Sequence, residues 1–75
     1  MVALDLAAVL ALDVSVFAAR VRAAELEAYD LDSLADDAAD FDEAPKAKRL
    51  RAKANKIRRQ VQSEALARRK AQVAR

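Results

Sequence analysis

The sequence predicts an all-α protein: two long helices joined by a short acidic helix and folded back as a helical hairpin. Three observations carry this reading. Gly, Cys, His and Trp do not occur and Pro occurs once, so the tight turns of hairpin-rich β folds have no residue suited to positive φ. Ala, Leu, Arg, Lys and Glu are abundant, and these lose least conformational freedom on entering a helix. Charge is also divided along the chain. Residues 1–45 carry eleven acids and two bases, a net −9, and residues 46–75 carry twelve bases and one acid, a net +11.

A chain of 75 residues makes one domain at most, near the size at which a single core is marginal without help. Without Cys, neither a disulfide nor a thiolate metal site can supply that help. The expectation is therefore completion by self-association or by docking onto a partner.

Residues 1–29 form the first unit. Leu6, Leu10, Val14, Phe17, Val21, Ala24 and Ala28 recur at helical spacing and define one apolar face. Val9, Leu12 and Val16 form a smaller strip on the face that also holds Asp5, Asp13, Arg20 and Glu27. Two apolar strips predict a continuous helix from Leu4 to about Tyr29 that touches neighbours on more than one side, as core and oligomer interface. The alternative is that Asp13 caps a second helix and splits the segment at Leu12–Asp13. Met1 to Ala19 holds no Lys or Arg to form a basic leader. Asp5 and Asp13 would each cost about 3 kcal/mol near a bilayer centre. No cleavable secretion signal and no membrane span are expected, which points to the cytoplasm or the inside of a virus particle.

Residues 30–45 form an acidic connector carrying Asp30, Asp32, Asp36, Asp37, Asp40, Asp42 and Glu43. Ser33-Leu34-Ala35-Asp36 has the form of a capping box. Leu31, Leu34, Ala38 and Phe41 then recur at helical spacing, which predicts a short helix from about Leu34 to Asp42. Pro45 is expected to hold Ala44 away from helical angles and to open the next helix.

Residues 46–75 form the basic helix. Leu50, Ala54, Ile57, Val61 and Ala65 make a thin seam, with Ala47 on the same side, which ends where Arg68 enters it. The last turns, Arg68 to Arg75, are expected to project or fray. No apolar heptad pattern runs long enough to predict a coiled coil. The bases Lys46, Lys48, Arg49, Arg51, Lys53, Lys56, Arg58, Arg59, Arg68, Arg69, Lys70 and Arg75 flank the seam and are the candidate contacts to nucleic acid or to an acidic protein surface. The candidate packing and oligomer residues are Leu6, Val9, Leu10, Leu12, Val14, Val16, Phe17, Val21, Leu50, Ile57 and Val61.

Catalysis is not expected. General acid–base and nucleophilic chemistry usually enlists His, Cys, Lys, or Ser beside a base, and no such constellation can be assembled here. The carboxylate pairs Asp32/Asp36 and Asp36/Asp40 lack the Gly and the alternating oxygen ligands of a calcium loop. They read as a solvated or base-facing helix side. No cofactor, metal or small-molecule substrate is expected. The basic helix has no aromatic residue, so stacking on single-stranded bases is excluded, and it shows no recognisable base-reading face.

The function expected is that of a non-catalytic structural or assembly protein. It would oligomerise or dock through its first helix and meet phosphate backbone or an acidic protein through its basic one. The alternative is a small dimeric DNA- or RNA-binding regulator with weak sequence specificity. The apolar–acidic–basic layout is similar in outline to small phage scaffolding or virion-associated proteins and to small nucleoid-type proteins. That likeness lies in the layout and carries over no residue.

Overall fold

The structure, a computed structural model, describes residues 2–74. It is all-helical: α1 spans Leu6–Ala11, α2 Val14–Asp40 and α3 Ala44–Val73, with no strand among the described residues. The two long helices are those the composition predicts, but their boundaries differ from the expected ones at three places, each with a local cause.

The first is Leu12–Asp13. The expected continuous helix is interrupted there, and the alternative boundary is the one observed. Asp5 opens α1 by accepting a hydrogen bond from the Ala8 N–H at 2.8 Å. Asp13 opens α2 by accepting from the Ser15 N–H at 2.8 Å and the Ser15 hydroxyl at 2.7 Å. A carboxylate at each start satisfies donors that have no partner inside the helix. The Ser15 hydroxyl, and after it the Ser15 N–H, hold the Asp13 carboxyl below its ordinary pKa. The break also changes the faces. Val9 of the expected second strip is fully buried, whereas Leu6 and Leu10 of the expected main stripe are exposed.

The second is the acidic segment. It is the C-terminal third of α2, with no separate connecting helix, and Ser33 lies inside α2 without capping it. Ala35 and Ala38 pack here against Ala47, with Leu50 beside them. That contact holds the carboxylate-rich turns in the helix, where their intrinsic propensity would leave them frayed. Leu34 and Phe41, expected on the apolar side, are exposed.

The third is the connection. The Glu43 N–H bonds the Ala38 carbonyl at 2.8 Å, the Asp42 N–H bonds that of Ala39 at 3.2 Å, and Asp42 sits at φ 58°. This is a Schellman stop with Asp at the left-handed position that Gly ordinarily takes. Asp42→Gly is expected to stabilise the protein by about 1 kcal/mol, read as a higher urea midpoint at unchanged slope. The next helix begins at Ala44, so Pro45 stands inside its first turn. Pro45 was expected to exclude Ala44 from the helix. The missing Pro N–H costs nothing there, because the first-turn donors have no intrahelical acceptor.

α2 and α3 lie side by side and antiparallel. Ala35 and Ala38 meet Ala47 near the connection, while Arg20 meets Glu64 and Phe17 meets Arg68 at the far end. The seam follows alternating steps of three and four: Phe17, Val21, Ala24, Ala28, Leu31, Ala35 and Ala38 on α2. It is matched by Ala47, Leu50, Ala54, Ile57, Val61, Glu64, Arg68 and Ala71 on α3; every one of these side chains is buried or half-buried. A heptad pattern is therefore sustained, contrary to expectation, because Ala, Glu64 and Arg68 occupy positions where larger apolar residues usually mark it. Among the described residues, six of the eight buried apolar ones are Ala. Val9 is the largest fully buried side chain and sits where α1 packs on α3. The result is a rod of 52 × 18 × 17 Å.

Candidate nucleic-acid interface

The candidate bases of α3 divide into two sets by what the helix pair does with them. The lone acid of α3, Glu64, faces α2 and is 3% exposed. Arg20 grips it with both ends of its guanidinium, Nε to Oε1 at 2.8 Å and Nη2 to Oε2 at 2.9 Å. Gln60 donates to Oε2 at 2.8 Å, and the remaining Arg20 nitrogen, Nη1, donates to the Val2 carbonyl at 2.7 Å. The paired fork and the extra donors compensate the desolvation of both charges. Hydrogen bonding from Arg20 holds the Glu64 carboxyl below its ordinary pKa against the opposing effect of burial. The same bond to Glu64 raises the Arg20 guanidinium.

Because the folded-state pKa of Glu64 is lowered, its contribution to stability is complete above the ordinary value of 4.5 and is lost as pH falls through the folded value. Urea midpoints should thus be level near neutrality and decline in the acid range. Glu64→Gln should remove this residue's share of that decline.

Arg68, expected to project, turns inward. Its Nη1 donates to the carbonyls of Val9 and Leu12, both at 2.9 Å, and its guanidinium lies 4.6 Å from the centre of the Phe17 ring. One side chain therefore closes the C-terminal end of α1 and covers the end of the α2 seam. Arg51 bonds Asp36 at 3.0 Å. Arg58 bonds Asp32 and also Asn55, the latter at 3.2 Å. Lys46 lies 3.7 Å from Glu43. The carboxylate pairs considered as cation ligands are thus partly engaged by arginines. Among the described residues no three potential ligands converge as a metal site.

The other set is Lys48, Arg49, Lys53, Lys56, Arg59, Arg69 and Lys70, all exposed and none in an ion pair among the described residues. Lys48, Arg59 and Lys70 stand eleven residues apart, three helical turns each time, on the side of α3 turned away from α2. Arg49 and Lys56 lie beside that row. The row runs about 33 Å along the helix, close to one turn of B-form duplex. Arg75, also expected as a contact, lies outside the described residues.

The packing candidates separate similarly. Val9 and Val61 are buried, while Leu12, Phe17, Val21, Leu50 and Ile57 are half-buried. Leu6, Leu10, Val14 and Val16 are exposed. Arg20, Glu64 and the inward role of Arg68 were not legible as a constellation. The one signal for them was a single acid at a seam position in an otherwise basic helix. No helix among the described residues is long and apolar enough to cross a membrane.

Comparison with known protein families, characterised proteins and solved structures finds no match.

Proposed function

We propose that this chain is a non-catalytic helical assembly protein, a two-helix hairpin that associates through apolar surface and binds nucleic-acid phosphate backbone with the outer face of α3. The observation that carries the reading is the division of the bases. Arg51, Arg58 and Arg68 have carbonyl, carboxylate or ring partners within the fold. Lys48, Arg49, Lys56, Arg59 and Lys70 have none among the described residues and share the outward side of one helix. Five cations on a rigid rod form a stripe that meets phosphates at little ordering cost and reads no bases. Binding is then weakly dependent on sequence and strongly dependent on salt. The test is titration of a random-sequence duplex at several salt concentrations. Log affinity should fall linearly with log salt, with a slope of about −0.9 per phosphate neutralised. Absence of duplex binding at low salt, with capture by an acidic protein surface instead, would replace this reading with the protein-partner one.

A further inference from the structure

Beside the alanine seam, α2 and its C-cap residue carry a second row. Val16, Ala23, Leu34 and Phe41 fall at steps of seven and eleven and so share one flank, with Asp30 and Asp37 interleaved on the same side. Val16, Leu34 and Phe41 are 51%, 53% and 79% exposed. Two hollows open on this flank. One, of about 430 Å³, lies beside Val16 and Ala23; the other, of about 240 Å³, lies between Leu34, Phe41 and Leu50. The opposite flank is bridged by the Arg51–Asp36 and Arg58–Asp32 pairs. The two sides of the rod therefore differ: one is crossed by two ion pairs between α2 and α3, and the other holds both hollows and the exposed Val16, Leu34 and Phe41.

The open flank is also charge-zoned. Its α2 edge carries Asp30 and Asp37, and its α3 edge carries Lys46 and Lys53, seven residues apart and exposed. Lys46 and Asp37 border the same hollow. We infer that this flank is the seat of a second copy of the chain, in a symmetric dimer whose two-fold axis runs along the rod. That axis lays the α2 edge of one copy over the α3 edge of the other, so acids meet bases along both lines and each hollow faces its counterpart. An axis across the rod would lay α2 on α2 in reversed direction, placing Asp30 and Asp37 against the Phe17–Ala24 end of the other copy, where no base of α3 meets them. The product is a four-helix bundle with the outer faces of both α3 helices still free.

Size supports a second copy of this chain. The protein exposes 5675 Å², whereas a compact monomer of this mass is expected to expose about 4,500 Å². Its radius of gyration is 15.0 Å, against about 11 Å for a compact domain of this length. The excess surface is on the order of what one partner buries in a stable interface, about 800 Å².

The inference rests on the assembly half of the proposed function, and a charge exchange separates the two. In the register set by Ala35 and Ala38 against Ala47 and Leu50, Lys46 meets the partner's Asp37 and Lys53 the partner's Asp30. Variant one carries Asp30→Lys with Asp37→Lys; variant two carries Lys46→Asp with Lys53→Asp. All four sites are exposed, so helicity by circular dichroism should match the parent. By sedimentation velocity the parent should be a dimer, and each variant alone should dimerise at least tenfold more weakly. An equimolar mixture should restore the dimer, because both contact lines then pair opposite charges. A parent that stays monomeric overturns the inference and self-association together. A parent that dimerises regardless of either exchange overturns this face and leaves self-association standing.

Discussion

Glu64→Ala is expected to cost about 3–5 kcal/mol, because it leaves the largely covered Arg20 guanidinium, 11% exposed, without its counter-charge. A chain of this length has on the order of 4–11 kcal/mol to lose. The variant should therefore show a broad, early thermal transition or none. Replacing both partners, as Arg20→Met with Glu64→Met, removes the charges together and gives an apolar contact of similar bulk. That pair should recover most or all of the parent stability, although the Val2 carbonyl then depends on water. Circular dichroism melts of the three proteins decide the point. If the single change cost less than about 1 kcal/mol, as an exposed pair would, the bridge would not be the strut assigned here.

The second large effect concerns the close approach of α2 and α3. Ala54 is fully buried, and at such a site added methylenes force side chains off rotamer or push the helices apart. Ala54→Leu is expected to destabilise by about 1–3 kcal/mol, although Leu is the residue usually favoured in helical seams. In a domain of this size that lowers the melting temperature by about 4–8 °C per kcal/mol. Ala52→Leu, two residues away and exposed, should change stability by no more than about 0.5 kcal/mol. A stabilising Ala54→Leu would mean that the seam is wide and underfilled.

The all-helical class was legible because composition alone removes the alternatives, and the first half of the α3 seam was legible from Leu50, Ala54, Ile57 and Val61. What lay beyond reach has specific causes. A seam built on Ala yields a faint periodicity, so the acidic turns of α2 read as a connector although Ala35 and Ala38 hold them in place. Arg68 read as an interruption because its carbonyl partners lie 59 and 56 residues away, and no local pattern announces such a contact. Asp13 was readable as a cap, but nothing in the flanking residues ranked it above a continuous helix. For the candidate site, the basic helix was evident. Which bases serve the fold and which face outward depended on helix register against α2, a tertiary property.

On the proposed function, the bases of α3 that face away from α2 and those that bridge to it have separate duties, and one comparison separates them. Duplex affinity is measured against salt, and melting temperature at low salt, for the parent and two variants. Lys48→Gln with Arg59→Gln and Lys70→Gln should make the log–log slope shallower by up to about 2.7 and leave the melting temperature within error of the parent. Arg51→Gln with Arg58→Gln should leave the slope unchanged and lower the melting temperature by a few degrees, as expected for two partly exposed pairs worth about 0.2–1 kcal/mol each. If the outward triple left the slope unaltered, or if the Arg51 and Arg58 pair flattened it equally, the division of the helix into a structural and a phosphate-binding side would be contradicted.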